Sequence, residues 1–188
     1  MKIILASASP RRKELLSMLG MDFEIIPSQK EEIMPAGLSP EETVMQLARS
    51  KCNEVRELLR EGEKDAVIIS ADTIVCIDGK ILGKPSGEKE AFEMLSSLSG
   101  RTHSVYTGIC VNSAVSFEKS EVRFAQLSEE EIRAYIATRE PMDKAGAYGI
   151  QGLGGMFVEH IDGDYFNIMG LPIHRLYLML KEQGVNLI

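Results

Sequence analysis

The stretch AVIISADTIVCIDGKILGKP, residues 66–85, places an acidic residue between two apolar runs. Its first four residues are apolar and largely β-branched, which is typical of a buried strand. Asp72 interrupts the pattern before apolar residues resume, and Asp78-Gly79 then predicts a hairpin turn. A buried carboxylate is costly unless a cation, hydrogen bonds or a metal lies beside it. Asp72 therefore belongs either to an active site, with Lys84 as a phosphate contact, or to an ordinary turn at the end of a strand.

The composition of the chain limits the kinds of ligand that it can bind. Its 188 residues are enough for one domain with a substantial core, and its net charge of -7 argues against a broad nucleic-acid surface. Any phosphate ligand should then be small and bound by a few local cations. No apolar run approaches the length of a membrane span, which predicts a cytoplasmic protein without membrane contact. Three scattered cysteines predict reduced core thiols, because they lack the close pairs of a zinc site.

A second candidate site follows the first predicted strand. Ser7 and Ser9 precede Pro10, which predicts a helix capped by Ser9, and Arg11 and Arg12 come next. Free amides at a helix start, hydroxyl groups and two guanidinium groups suit an anion such as phosphate. The alternative is a capped surface helix with two solvated arginines.

Two further stretches carry charged candidates. Glu31 and Glu32 lie in a predicted loop, where paired carboxylates either hold Mg²⁺ or are simply solvated. Ser39 and Glu42 form a capping-box pattern and predict a long helix that carries Lys51. Lys51 is solvated in one interpretation and functional in the other, in which the helix lines a cleft.

The segment EPMDKAGAYGIQGLGG, residues 140–155, contains five glycines. It cannot form a stable helix and is long for a turn. Its backbone amides could approach a ligand closely, with Gln151 among the polar groups, or its glycines could mean only flexibility. We expect a closing hairpin after it, with strands at 156–161 and 164–168 joined by an Asp-Gly turn, and then a helix from Pro172.

Six short motifs follow one another along nearly the whole chain. They are SASPRR (7–12), SADT (70–73), GKP (83–85), SGRTHSVYT (99–107), DKAGAYGIQG (143–152) and GLP (170–172). Each is weak alone, but together they resemble the Maf family of nucleoside triphosphate pyrophosphatases. The resemblance implies an α/β fold like that of inosine triphosphate pyrophosphatases, with an elongated, mixed, twisted sheet flanked by helices and two lobes around a central cleft. It also implies one domain over residues 1–188 and a homodimer.

The resemblance implies hydrolysis of a nucleoside triphosphate between its α- and β-phosphates, giving the monophosphate and pyrophosphate, with a divalent cation. Mg²⁺ is expected, with Mn²⁺ or Co²⁺ as alternatives. The DKAGAYGIQG form is similar to the branch that acts on dTTP and UTP, and modified pyrimidine triphosphates are further candidate substrates. The alternative function is a nucleotide-binding regulator of cell division or septum formation. Carboxylates at positions 32 and 72 favour the enzyme, because in a pure binder each would repel the triphosphate.

The site residues that the resemblance implies are matched motif by motif. The catalytic residues are Asp72, Lys84 and Lys51, the substrate-binding or specificity residues are Ser7, Arg11, Arg12, Thr73 and Gln151, and the metal ligands are Glu32 and Asp72. Whether Asp72 is the direct base or a metal ligand stays open. His103 is expected to be structural. Ser70 and residues 166–169, a loose version of the last strand, depart from the family pattern.

Overall fold

The computed structural model describes residues 2–29, 34–35, 37–63 and 65–187. Within these ranges strands and helices alternate along the chain, with short 3₁₀ turns between some of them. The strands are β1 (Ile3–Leu5), β2 (Glu24–Ile25), β3 (Val67–Ile77), β4 (Lys80–Leu82), β5 (Thr102–Val111), β6 (Ala114–Phe124) and β7 (Val158–Asp162). The α-helices are α1 (Pro10–Ser17), α2 (Pro40–Leu58), α3 (Glu88–Leu98), α4 (Glu129–Ala137), α5 (Tyr165–Met169) and α6 (Ile173–Glu182). The 3₁₀ turns are Glu61–Glu63, Glu140–Asp143, Ala145–Ala147 and Leu153–Phe157.

The strands form one mixed sheet in the order β2-β1-β3-β5-β6-β7, and β4 pairs with β3. β1 runs parallel to β2 and to β3, whereas β4 is antiparallel to β3 and β7 to β6. The predicted turn between β3 and β4 is confirmed: Asp78 and Gly79 both have positive φ, as a tight hairpin turn of type I′ requires. The predicted α/β class with a mixed sheet flanked by helices is therefore confirmed.

The chain divides into two compact units. The first consists of Met1–Asp72, Thr107–Glu118 and Gly170–Ile188, and the second of Thr73–Tyr106 and Lys119–Met169. One domain over residues 1–188 stays a prediction. None of the helices in the described ranges is both long and apolar enough to cross a membrane.

In the first unit, α2 lies directly on the sheet. Its start is fixed by the predicted capping box, in which Ser39 Oγ accepts from the Glu42 amide at 3.3 Å and the Ser39 amide donates to Glu42 Oε2 at 2.9 Å. A Cβ at Gly108 on β5 would overlap the backbone carbonyl of Val44 on α2. The helix and the strand are thus in backbone contact. An apolar cluster is formed by α2 together with residues in or next to β1, β3 and β5: Ile4, Ala6, Ala48, Cys52, Val55, Leu59, Ala66, Ile68 and Cys110.

Asn112, in the two-residue turn between β5 and β6, extends the pairing of β3. It adopts a positive φ of 58°, its amide donates to Ile68 O at 2.9 Å, and its Oδ1 accepts from the Ile68 amide at 3.0 Å. Its carbonyl accepts from the thiols of Cys52 and Cys110. All three cysteines of the chain are buried thiols outside any disulfide, which confirms the prediction of reduced core thiols.

The second unit has its own core around α3 and α4, and His103 is part of it. The ring of His103 on β5 meets Phe124 edge-on at 4.9 Å between centroids, and its Nε2 lies 2.8 Å from Tyr148 Oη. Burial lowers the pKa of His103 to about 4, against the smaller opposing effect of Glu121. This environment agrees with the structural role expected for His103.

The predicted strand at 164–168 is wrong, because Tyr165–Met169 is the helix α5. Ser120 Oγ on β6 accepts from the Asp164 amide at 3.0 Å and donates to the Asp164 carbonyl at 2.9 Å. Asp164 Oδ1 then accepts from the Phe166 amide at 2.8 Å, as a helix cap does. The backbone groups that a second strand would use are therefore occupied by a serine and a cap.

Candidate active site

A buried ion pair between Asp72 and Lys51 is the main feature of the first unit. Asp72 lies within β3 and is 5% exposed, and Lys51 on α2 donates to its Oδ1. β3 continues for five residues beyond Asp72, so the alternative of a turn at the end of a strand is wrong. Lys51 is buried too, which excludes the solvated interpretation. A buried carboxylate is tolerated here because it has a cation as partner.

Ser70 fixes the spacing between the two elements that carry this pair. Its buried hydroxyl donates to the carbonyl of Ala48 on α2 at 2.6 Å. Ala48 precedes Lys51 by three residues, and Ser70 precedes Asp72 by two. The serine that departs from the family pattern therefore ties the strand to the helix close to the ion pair.

The parallel register of β1 and β3 brings two of the predicted motifs side by side. Leu5 is the partner of Ile69, and the Ala6 amide donates to Ile69 O at 2.7 Å. Ser7 follows Leu5 by two residues and Asp72 follows Ile69 by three. The starts of two segments that are distant in sequence, SASPRR and SADT, thus follow neighbouring strand positions in the first unit.

The start of α1 is held by side chains, although by a different one than expected. Within the described residues, Ser9 occupies the N-cap position without a capping bond from its side chain, so that part of the prediction is wrong. Ser7 Oγ instead accepts from the Ser9 amide at 3.2 Å and from Arg12 Nη1 at 3.4 Å. Arg12 Nε also donates to Gly170 O at 2.8 Å, which links SASPRR to GLP. Arg12 is therefore anchored and half-buried, and Arg11 beside it is also half-buried.

Three further predicted site residues lie in the second unit. Thr73 is half-buried in β3, whereas Lys84, just after β4, and Gln151 are exposed. The amide of Gly146 donates to Gly83 O at 3.0 Å. This bond joins the GKP segment that carries Lys84 to the glycine-rich segment that carries Gln151.

The glycine-rich segment folds around a carboxylate of its own chain. The amides of Leu153 and Gly154 donate to Glu140 at 3.0 and 3.2 Å, and a Cβ at Gly152 would lie 2.5 Å from Glu140 Cδ. Amides that were expected to approach a ligand or to be flexible thus bind a side chain. Sequence reasoning missed Glu140, because a single acid ahead of a proline gives little signal.

A second buried carboxylate, which lies on α2, was also missed. Glu54 lies one turn beyond Lys51 and accepts from Ser28 Oγ and, at 2.8 Å, from the Gln29 amide. It therefore holds the chain immediately before residues 30–33. Its i+3 spacing from Lys51 on the buried face was the available signal.

Of the two predicted metal ligands, the structure describes Asp72. Glu32 lies outside the described residues. Across 2–29, 34–35, 37–63 and 65–187, no group of three or more His, Cys, Asp or Glu side chains could itself hold a metal ion. Mg²⁺ is commonly bound through one or two carboxylates while substrate phosphates and water complete its shell. The buried carboxylate of Asp72 fits that mode as one such ligand.

The mixed sheet flanked by helices defines an α/β protein. Its first unit contains both the buried Asp72–Lys51 pair and a helix start with serine and arginine side chains, a kind of helix end that can receive an anion. Comparison with known proteins identifies the protein family. A family model described as "Maf-like protein" matches residues 2–183, and the chain belongs to this family. The resemblance seen in the six motifs is confirmed.

Curated relatives match over nearly the full length. A dTTP/UTP pyrophosphatase of Caldicellulosiruptor bescii is 53% identical over 192 residues, covering 99% of this chain and 96% of the relative. A dTTP/UTP pyrophosphatase of Bacillus cereus is 52% identical over 189 residues, covering 98% and 97%. Among solved structures, a nucleoside-triphosphatase, or dITP/XTP pyrophosphatase, of Mycobacterium abscessus matches with 16% identity and a TM-score of 0.40, covering 68% of this chain and 76% of that chain. That likeness is too weak to carry an argument.

Proposed function

We propose that this protein is a nucleoside triphosphate pyrophosphatase that hydrolyses dTTP and UTP to the monophosphate and pyrophosphate. The observation that carries the proposal is the buried Asp72–Lys51 pair, next to the SASPRR segment through the β1–β3 register. The activity for which the relatives are named agrees with the activity predicted from the motifs. Modified pyrimidine triphosphates belong to the same proposal as further substrates.

The buried pair supplies the groups that hydrolysis of a phosphoanhydride needs. Asp72 accepts the proton of the water that attacks the α-phosphorus, because a carboxylate inside the protein is fixed and shielded from bulk water. Lys51 orients that carboxylate and adds positive charge where the triphosphate binds. Arg11 and Lys84 are proposed to contact phosphate oxygens, which an acidic protein must meet with local cations.

The remaining assignments concern recognition of the nucleotide's pyrimidine and the start of α1. Thr73, next to Asp72 in β3, and Gln151 are proposed to select the pyrimidine, since an amide both donates and accepts hydrogen bonds. Ser7 and Arg12 hold the helix start in the shape that receives the phosphates, as their contact at 3.4 Å supports.

A divalent cation belongs to the proposal. Asp72 and the triphosphate would hold it, with Glu32 as a further ligand, and Mg²⁺ is the first choice ahead of Mn²⁺ or Co²⁺. When bound, such a cation withdraws negative charge from the phosphates. The homodimer that the family resemblance implies belongs to the proposal as well. So does a cytoplasmic protein without nucleic-acid or membrane partners, which the net charge of -7 and the short apolar runs support. Light scattering on the purified protein tests the dimer.

Pyrophosphate release tests the activity. The panel contains dTTP, UTP, CTP, ATP, GTP and 7-methyl-GTP with Mg²⁺ or Mn²⁺, for the wild type and for Asp72→Asn. Asp78→Asn is the matched control, because Asp78 is exposed in the turn of the same stretch and asparagine tolerates its positive φ. We expect release from dTTP and UTP that is lost in Asp72→Asn and kept in Asp78→Asn. A wild type that binds nucleotides but cleaves none would refute the enzyme and favour a nucleotide-binding regulator.

A further inference from the structure

Glu140 holds the glycine-rich segment from the C-terminal side of Gln151. Its Oε2 accepts from the Leu153 amide at 3.0 Å, and its Oε1 accepts from the Gly154 amide at 3.2 Å. These donors lie two and three residues after Gln151. Hydrogen bonds from amides to a charged carboxylate are stronger than those between neutral groups.

Tyr135, on α4, holds the same segment from the N-terminal side. Its hydroxyl accepts from the Gly149 amide at 3.2 Å and donates to Glu140 Oε1 at 2.8 Å. Gly149 lies two residues before Gln151. The exposed Gln151 is therefore bracketed by backbone amides that converge on one tyrosine and one carboxylate.

We call the hydrogen bonds of Glu140 and Tyr135 to the amides on both sides of Gln151 the bracket around Gln151. Its close packing depends on glycine at two positions. A Cβ at Gly152 would overlap the carboxylate of Glu140, and a Cβ at Gly154 would lie 2.6 Å from Tyr135 Oη. Neither Gly152 nor Gly154 has a positive φ, so backbone conformation does not demand glycine there. Gly152 is explained by the close approach of the Glu140 carboxylate, and Gly154 by the close approach of both Tyr135 Oη and the Gly149 backbone.

The charge of Glu140 suits its role as an acceptor. Partial burial raises the pKa of its carboxyl group, but the amides of Leu153 and Gly154 and the Tyr135 hydroxyl outweigh burial and place the pKa below its ordinary value. Lys144 Nζ donates to the backbone carbonyl of Glu140 at 2.6 Å and so fixes the main chain at the same residue.

We infer that Glu140 and Tyr135 are positioning residues that hold Gln151 for recognition of the pyrimidine. The inference rests on the proposed function, in which Gln151 contacts the base. A side chain that distinguishes bases by its donor and acceptor must be held within a fraction of an ångström, and an exposed glycine-rich segment cannot do so unaided. The two residues act through Gln151 and take no part in cleavage.

The first test compares nucleotide selectivity, defined as kcat/KM for dTTP divided by kcat/KM for ATP. Glu140→Gln keeps the size of the side chain but removes its charge and one acceptor oxygen. We expect selectivity to fall about tenfold, which corresponds to about 1.4 kcal/mol. Tyr135→Phe, which keeps the ring in the core, should lower it in the same direction. Glu129→Gln is the matched control, because Glu129 accepts only exposed hydrogen bonds from Arg133 among the contacts described for α4.

The second test separates positioning from general stability. In a Gln151→Ala background, Glu140→Gln should cause no further loss of selectivity, since residues that act as one unit are not additive. Equal effects of Glu140→Gln in both backgrounds, or unchanged selectivity in the single variant, would overturn the inference. If Glu140→Gln does not fold, the same comparison with Tyr135→Phe decides. A wild type that releases no pyrophosphate from any nucleotide would contradict the proposed function instead, so the two failures are distinguishable.

Discussion

Acidification should destabilise the protein through His103, which is 2% exposed. Its Nε2 is bonded to Tyr148, and its Nδ1 is buried without a hydrogen-bond partner in the described part of the chain. Protonation would place a charge and an unsatisfied N–H against the aromatic rings of Phe124 and Tyr148. The folded protein should therefore resist protonation of this ring.

The size of the effect follows from the two pKa values of His103. The folded pKa of about 4 lies below the value of 6.5 for an unperturbed histidine, so the unfolded chain binds the proton more readily. The stability that depends on the neutral ring is fully present above pH 6.5 and is lost as the pH falls toward 4. Linkage between these values gives a loss of about 2 kcal/mol in the free energy of unfolding between pH 8 and pH 5.

Urea denaturation at both pH values measures this loss. His103→Gln removes the titrating group, so its free energy of unfolding should fall by about 2 kcal/mol less than that of the wild type. Carboxyl groups elsewhere affect both proteins equally and cancel in the difference. His174→Gln, which changes an exposed histidine, should behave like the wild type. If His103→Gln and the wild type lose the same stability on acidification, the reasoning about this buried ring is wrong.

Three further predictions concern packing, charge and metal. Gly108→Ala should lower the free energy of unfolding by about 3 kcal/mol or prevent folding, since its methyl group would overlap the Val44 carbonyl, whereas Gly62→Ala, with open space around it, should be tolerated in the same melting experiment. Lys51→Met should destabilise by about 3 kcal/mol because it leaves the Asp72 carboxylate buried and unpaired, and adding Asp72→Asn should restore part of that loss in urea denaturation. A chelator should abolish pyrophosphate release and added Mg²⁺ should restore it, while unchanged release in the chelator would contradict the proposed cation.

The elements of the fold that were predicted correctly are those determined by neighbouring residues. The capping box at Ser39 and the turn at Asp78-Gly79 are set by side chains within three positions of each other. The strand predicted at 164–168 was wrong, because the backbone of Asp164 is hydrogen-bonded by Ser120, a residue 44 positions away. Local patterns cannot report such a contact.

In the candidate site, too, contacts between distant residues could not be predicted from the sequence. The sequence indicates that Asp72 needs a cation, but Lys51 is 21 positions away, and only the packing of α2 on β3 shows that the two form an ion pair. Glu140 was missed for a similar reason. Its role depends on the backbone amides that donate to it, and because every residue type except proline has such an amide, the sequence does not reveal them. The contact between Arg12 and Gly170 spans 158 positions and was equally inaccessible.

The bracket around Gln151 has a consequence for the thermodynamics and timing of ligand binding. Glycine loses more backbone freedom on ordering than any other residue, so a segment with five glycines would normally bind a ligand at a large entropic cost. Here Glu140 and Tyr135 order the segment when the protein folds. A nucleotide would then meet a preorganised surface, and its association rate would not be limited by closure of this loop. The composition suggests mobility, but the amide protons of Gly149 and Leu153 should exchange slowly with solvent even in the absence of nucleotide.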